Sequence, residues 1–209
     1  MNKKLVLTGA LGIVAAAVGL WSGSQLLQPE QAVVLQQYSV ATIFPHSRPL
    51  PAVALVDQDG RSFGVDRLQG QWSLLFMGFT NCGHVCPMTM ARMRAIADEV
   101  EYPLNVLFVS VDPGRDTPEV IAEYVRRFDE DFTGVTGEAA EIDKLAAALG
   151  APYVVEISDD KYIVDHSSAI FLIGPDGGFR GVTTAPHDVN KVAADLNQLF
   201  AEMGSQAST

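Results

Sequence analysis

The chain has two cysteines, and both lie in one short segment, FTNCGHVCP, as Cys82 and Cys86. A thiolate there has two kinds of chemistry open to it. It can close a reversible disulfide with its neighbour, or it can hold a soft metal ion; thiolates select Cu(I) and also accept zinc. The segment sits between an apolar run, residues 72–79 (WSLLFMGF), and an amphipathic stretch, residues 87–100. That pattern reads as a buried strand leading into a helix. Ligands bind at the carboxyl ends of strands in open α/β sheets, and a helix N-terminus favours thiolate over thiol. If the helix began at Cys82, the i, i+4 spacing would put both sulfurs on one face. The plain alternative is a pair of buried structural cysteines. A permanent disulfide across so short a loop would stabilise little.

Four histidines could add an imidazole. His166 lies in YIVDHSSAIFLIGPDG, just ahead of an apolar strand, and two thiolates with one imidazole suit copper, with zinc also possible. Taken alone, His166 would read as a loop histidine. His84, at i+2 from Cys82, would point away from it on a helix and reads as exposed. His46 and His187 read as solvated. Met88 and Met90 are weak soft donors by type, and packing suits both better.

The elements that must position these groups alternate along the chain. Residues 53–56 read as a strand, 59–60 as a tight turn, and 105–111 (NVLFVSV) as a second buried strand. Thr117 and Pro118 form an N-cap and N1 pair, followed by a helix with Ile121, Tyr124, Val125 and Phe128 inward. Residues 138–149 read as a helix stopped by Gly150. Residues 169–173 and 179–183 form a hairpin about a Pro-Asp-Gly-Gly turn, and 188–203 a last helix. This order implies an α/β sandwich with a central mixed sheet, as in a thioredoxin-like fold. Two redox patterns of that fold are missing. The cysteines are spaced CxxxC, not CxxC, and Leu75 and Phe79 stand where a peroxiredoxin PxxxTxxC would need proline and threonine. No proline between Pro152 and Pro175 can supply the cis-proline that thioredoxins place near their cysteines.

Lys3 and Lys4 precede an uncharged run over residues 5–21. As a helix it would span roughly 26 Å, close to a bilayer core. A retained anchor fits that length better than a cleaved signal segment. Either puts the rest of the chain outside the cytoplasm, facing the periplasm in a bacterium. Residues 1–27 are thus expected to be an anchor or signal segment, 28–50 a proline-bearing extended tether, 51–204 the globular domain and 205–209 a tail. The net charge is −11, and after residue 30 there are 12 basic against 24 acidic residues, which argues against nucleic acid as a partner.

The three segments FTNCGHVCP, VSVDPGRDTPE and YIVDHSSAIFLIGPDG together resemble the Sco/SenC family of copper chaperones, in that order and at suitable separations. The resemblance implies a membrane-tethered thioredoxin-like domain that binds one copper ion through Cys82, Cys86 and His166. It implies cytochrome c oxidase subunit II as partner, whose dinuclear copper centre is assembled by copper delivery, by reduction of its cysteines, or both. Other copper chaperones or thiol reductases are further partners it suggests. Gly83 and His84 depart from the proline and acidic residue common between the cysteines. Asp165 is a candidate to orient the His166 ring. Asp112, Pro113, Arg115 and Asp116 read as a turn that holds its loop and caps the next helix. The competing function is a thiol-disulfide oxidoreductase needing only Cys82 and Cys86.

Overall fold

In a computed structural model of the chain, the residues described are 38–158 and 161–206. The expected membrane segment at 1–27 lies outside them. Among the described residues, no helix is long and apolar enough to cross a membrane.

The apolar runs form the centre of the fold because each has two faces to bury. Strand β4 (Trp72–Gly78) lies parallel to β5 (Leu104–Ser110), which lies parallel to β6 (Thr133–Gly137). Alternate side chains of a strand point to opposite faces. Trp72, Leu74 and Phe76 therefore join one core, with helices α1 (Val85–Glu99), α2 (Pro118–Arg126) and α4 (Val189–Gln206). Leu75 and Met77 join the other, with α3 (Ala139–Leu149). The expected hairpin, β9 (Ile170–Ile173) and β10 (Phe179–Thr183), continues the sheet antiparallel beside β4. Strands β2 (Leu55–Asp57) and β3 (Ser62–Phe63) close the other edge beyond β6. The result is an eight-stranded mixed sheet of order β1-β10-β9-β4-β5-β6-β2-β3, with helices on both faces. Thr117 caps α2 by accepting the Val120 N–H, and Gly150 ends α3 at φ 66°, as expected.

Two elements depart from the expected order. Residues 41–48, assigned to the tether, form edge strand β1 (Ala41–Arg48), antiparallel to β10. Its prolines hide it, but an edge tolerates Pro45, which falls where the register shifts between Ile43 and Arg48. Residues 153–166, expected to hold a loop histidine, form a separate two-stranded sheet, β7 (Tyr153–Ser158) and β8 (Lys161–His166). Helix α1 also begins two residues earlier than expected, so Cys86 lies inside its first turn.

Asp195 of α4 anchors the start of β1. Its buried carboxylate accepts the N–H groups of Ser39, Val40 and Ala41 at 2.8–2.9 Å and the Ser39 hydroxyl at 3.0 Å. Burial works to raise its pKa, but these backbone donors outweigh it and hold the carboxyl below the ordinary 3.8. A lowered folded-state pKa contributes stability above the unfolded value and loses it as pH falls. Asp195→Ala should therefore cost about 2–3 kcal/mol, the worth of charge-assisted hydrogen bonds left unmade. Hydrogen exchange should rise at residues 39–43, and the wild type's loss of stability below the ordinary carboxylate pKa of 3.8 should shrink in Asp195→Asn. Acid-titrated denaturant melts of the three proteins check both.

Candidate metal centre

Both cysteines sit at the carboxyl end of β4, and each is held there by a different device. Cys82 lies ahead of α1, not within it, so a shared helical face does not bring the sulfurs together. The loop folds back, and Cys82 Sγ accepts the Cys86 N–H at 3.3 Å. The sulfur thereby caps a free donor of the helix start. Cys86 points inward and is 0% exposed. Its space exists because Gly78 has no side chain: a Cβ there would come within 3.1 Å of Cys86 Sγ and 2.9 Å of Phe76.

The loop is fixed from below by Asp116. This buried carboxylate accepts the Thr80 N–H at 2.9 Å, the Thr80 hydroxyl at 2.6 Å and the Ser110 hydroxyl at 2.6 Å. It thus joins the turn after β5 to the loop that carries Cys82. Asp112 also accepts, from Arg115 Nε at 2.5 Å and from the Tyr162 hydroxyl. The acidic turn does more than cap α2, for which Thr117 alone suffices.

His166 ends β8, directly opposite Tyr153. Its ring packs edge-on against Phe79, with centroids 5.6 Å apart, and against Phe76 at 5.7 Å. Nδ1 lies 2.8 Å from the Ser167 carbonyl, which can only accept, so Nδ1 carries the proton there. Nε2 faces the cysteines, 3.1 Å from Cys86 Sγ. A backbone carbonyl that accepts from the second ring nitrogen is a common outer partner of a metal-ligating histidine. Asp165 is exposed on the opposite face of β8, so the Ser167 carbonyl, not Asp165, orients the ring.

One ligand atom from each of Cys82, Cys86 and His166 lies within 4.8 Å of the others, the one such group among the described residues. Two sulfurs and an imidazole fit a soft, low-coordinate ion such as Cu(I). His84 is exposed at the N-cap of α1 and Met88 is exposed, while Met90 is core. His46 is exposed on β1. His187 is not solvated as expected. It is buried, its pKa is pushed down by that burial, and Nε2 lies 2.8 Å from the Ser168 carbonyl.

The thiols are electrostatically unequal. Burial raises the Cys82 pKa, but hydrogen bonds from the Cys86 backbone and thiol and from the His84 and Val85 N–H groups outweigh it, leaving it below the ordinary 9.0. Burial pushes the Cys86 thiol well above that value. In the metal-free reduced protein, Cys82 should alkylate first, with a rate midpoint below pH 9.0, and Cys86 only slowly. Gly78→Ala should shift Cys86 and weaken metal binding while β4 stays in place. Mass-resolved labelling of wild type and variant across pH checks both.

Comparisons with known proteins agree with this geometry. A profile of the SCO1/SenC family matches residues 50–201. The mitochondrial SCO2 homolog of Bos taurus is 37% identical over 212 residues, covering 98% of this chain and 78% of that one. The mitochondrial SCO1 homolog of Homo sapiens is 43% identical over 117 residues, or 53% of this chain; the match spans only 39% of that protein's length. Among solved structures, the crystal structure of Arabidopsis thaliana ScoI with copper bound superposes with a TM-score of 0.69 at 30% identity, covering 73% of this chain and 98% of that one. The matched region contains the cysteine loop, the acidic turn and the histidine hairpin, and by that match the chain belongs to the SCO1/SenC family.

Proposed function

We propose that this protein is a copper chaperone of cytochrome c oxidase assembly. It takes one copper ion at Cys82, Cys86 and His166 and passes it to the dinuclear centre of subunit II. Residues 1–27 hold it at the membrane, with the domain outside the cytoplasm. The observation that carries the reading is the convergence of three soft or borderline donors within 4.8 Å, from segments 80 residues apart. The copper-bound Arabidopsis relative supports the choice of metal. The motif resemblance ties the site to the oxidase.

The chain's own groups are prepared for the cargo. Hydrogen bonds at the helix start favour the Cys82 thiolate, and the Ser167 carbonyl holds His166 Nδ1 so that Nε2 faces the sulfurs. Cys86 gives up its proton only when a cation offsets the cost of a buried charge. Binding therefore releases a proton, and affinity falls as pH falls.

The lowered Cys82 pKa with Cys86 directly behind it favours one further reading, reduction of partner cysteines by this dithiol. That activity would not need His166. Wild type should bind one Cu(I) per chain. His166→Ala should lose more than about a hundredfold in affinity, since even an outer partner of a ligand is worth about 10–100-fold. Cys82→Ser and Cys86→Ser should lose more. Chelator competition and metal analysis measure this, and oxidase activity in cells carrying each variant reports the target. Unchanged affinity in His166→Ala, with thiol-reductase activity intact, would sink the chaperone reading in favour of the oxidoreductase.

A further inference from the structure

Among the described residues, the hairpin that carries His166 pairs with no strand of the main sheet. A lone two-stranded hairpin is marginal in water, so its position depends on what ties it to the body. Near its base, Tyr153 and Val164 pack on the core, and the Tyr153 hydroxyl donates to Asp143 of α3 at 2.5 Å. Four residues before His166, on the same face of β8, lies Tyr162. Its hydroxyl donates to Asp112, a carboxylate only 1% exposed. The Arg115 guanidinium lies 3.6 Å over the Tyr162 ring and 5.8 Å from the Phe79 ring, and its Nε donates to the same Asp112. Phe79 in turn packs edge-on against His166. The turn that holds the cysteine loop through Asp116 therefore also reaches the hairpin through Asp112 and Arg115.

We propose that Tyr162 is a positioning residue for the metal centre: clamped between Asp112 and Arg115, it fixes the hairpin so that His166 meets the two sulfurs. The proposal rests on the reading of Cys82, Cys86 and His166 as the copper site. The hairpin meets the body near its base, through Tyr153, Val164 and the His166 ring, and again toward its tip, through Tyr162. Two points of attachment fix its tilt, where one would leave His166 on a hinge. Tyr162 touches neither sulfur nor imidazole, so its effect passes through His166.

The test is a double-mutant cycle on the full chain, read by Cu(I) competition with a chromogenic chelator. Tyr162→Ala, which removes both the hydrogen bond and the stacked ring, should weaken Cu(I) binding about tenfold, and Tyr162→Phe, which keeps the ring under Arg115, by about threefold, within the worth of a hydrogen bond to a charged group. In a His166→Ala background the same substitutions should change affinity less than about twofold, because the coupled pair is already broken. Equal losses in both backgrounds, or no loss in either, would overturn the proposal. Hydrogen exchange of the metal-free protein separates this from the copper reading. Tyr162→Ala should speed exchange over residues 161–166 and leave 72–78 unchanged. If wild type binds no copper, the copper reading falls, and the exchange result alone then decides whether Tyr162 holds the hairpin.

Discussion

The contact between Cys86 Sγ and His166 Nε2, 3.1 Å long and 80 residues apart in sequence, sets the terms for the rest of the molecule. A sulfur that is 0% exposed meets a ring nitrogen, and polar atoms are expensive to bury without partners. Their meeting requires a strand end with room for the sulfur, a helix that starts beside it, and a second segment brought in from the far end of the chain. Gly78 gives the room, α1 the start, and the β7–β8 hairpin the second segment. The mixed sheet keeps these parts in register. Its β4 is buried on both faces, so slipping by one residue would turn every side chain to the wrong core.

Polar groups around the contact are shared out so that each buried oxygen does more than one task. Asp116 accepts three hydrogen bonds and joins β5, its following turn and the cysteine loop. Asp112 accepts from Arg115 and Tyr162 and reaches the hairpin. Buried carboxylates without partners would cost several kcal/mol each, and here Thr80 and Tyr162, two of those partners, lie on the segments that carry the site residues. Asp57 shows the same economy away from the site, accepting from Arg61 and Arg67 together. The acidic net charge of the chain thus says little about its site, where the carboxylates are turned inward as acceptors.

Much of this was legible before the structure. The apolar runs over 72–79 and 105–111, the Thr117-Pro118 cap and the Gly150 stop all carry local signals that tertiary packing then kept. The donor set was legible too, from the cysteine spacing, His166 and the motifs around them. The convergence of the sulfurs was expected on a helical face and arises instead from a loop folded onto a helix N-terminus, which spacing alone does not encode. Strand β1 hid behind its prolines. The hairpin was missed because YVVEIS and KYIVDH each hold three consecutive apolar residues instead of alternating, and Asp159 and Asp160 between them are not the Gly or Asn pair that marks a two-residue turn. Tyr162 could not be singled out without that hairpin, and the orienting role expected of Asp165 falls to a backbone carbonyl, which leaves no mark in a sequence.

The unequal burial of the three residues makes the site accessible from one side. Cys82 is partly exposed and Cys86 fully buried, with Met90 and Phe76 packed around it in the same core. Around Cys82 the surface is open: His84 is exposed, and so are the apolar side chains of Val85 and Met88. A group approaching from solvent therefore meets the Cys82 side of the site first. Exchange there replaces a thiolate that the helix start already stabilises when free, so its release leaves no unsatisfied charge. Release of Cys86 is different, because a free buried thiolate is costly and must be reprotonated. On the copper-chaperone function proposed above, ligand exchange would begin at Cys82 and end at Cys86, whose buried thiolate would take up a proton as it is released.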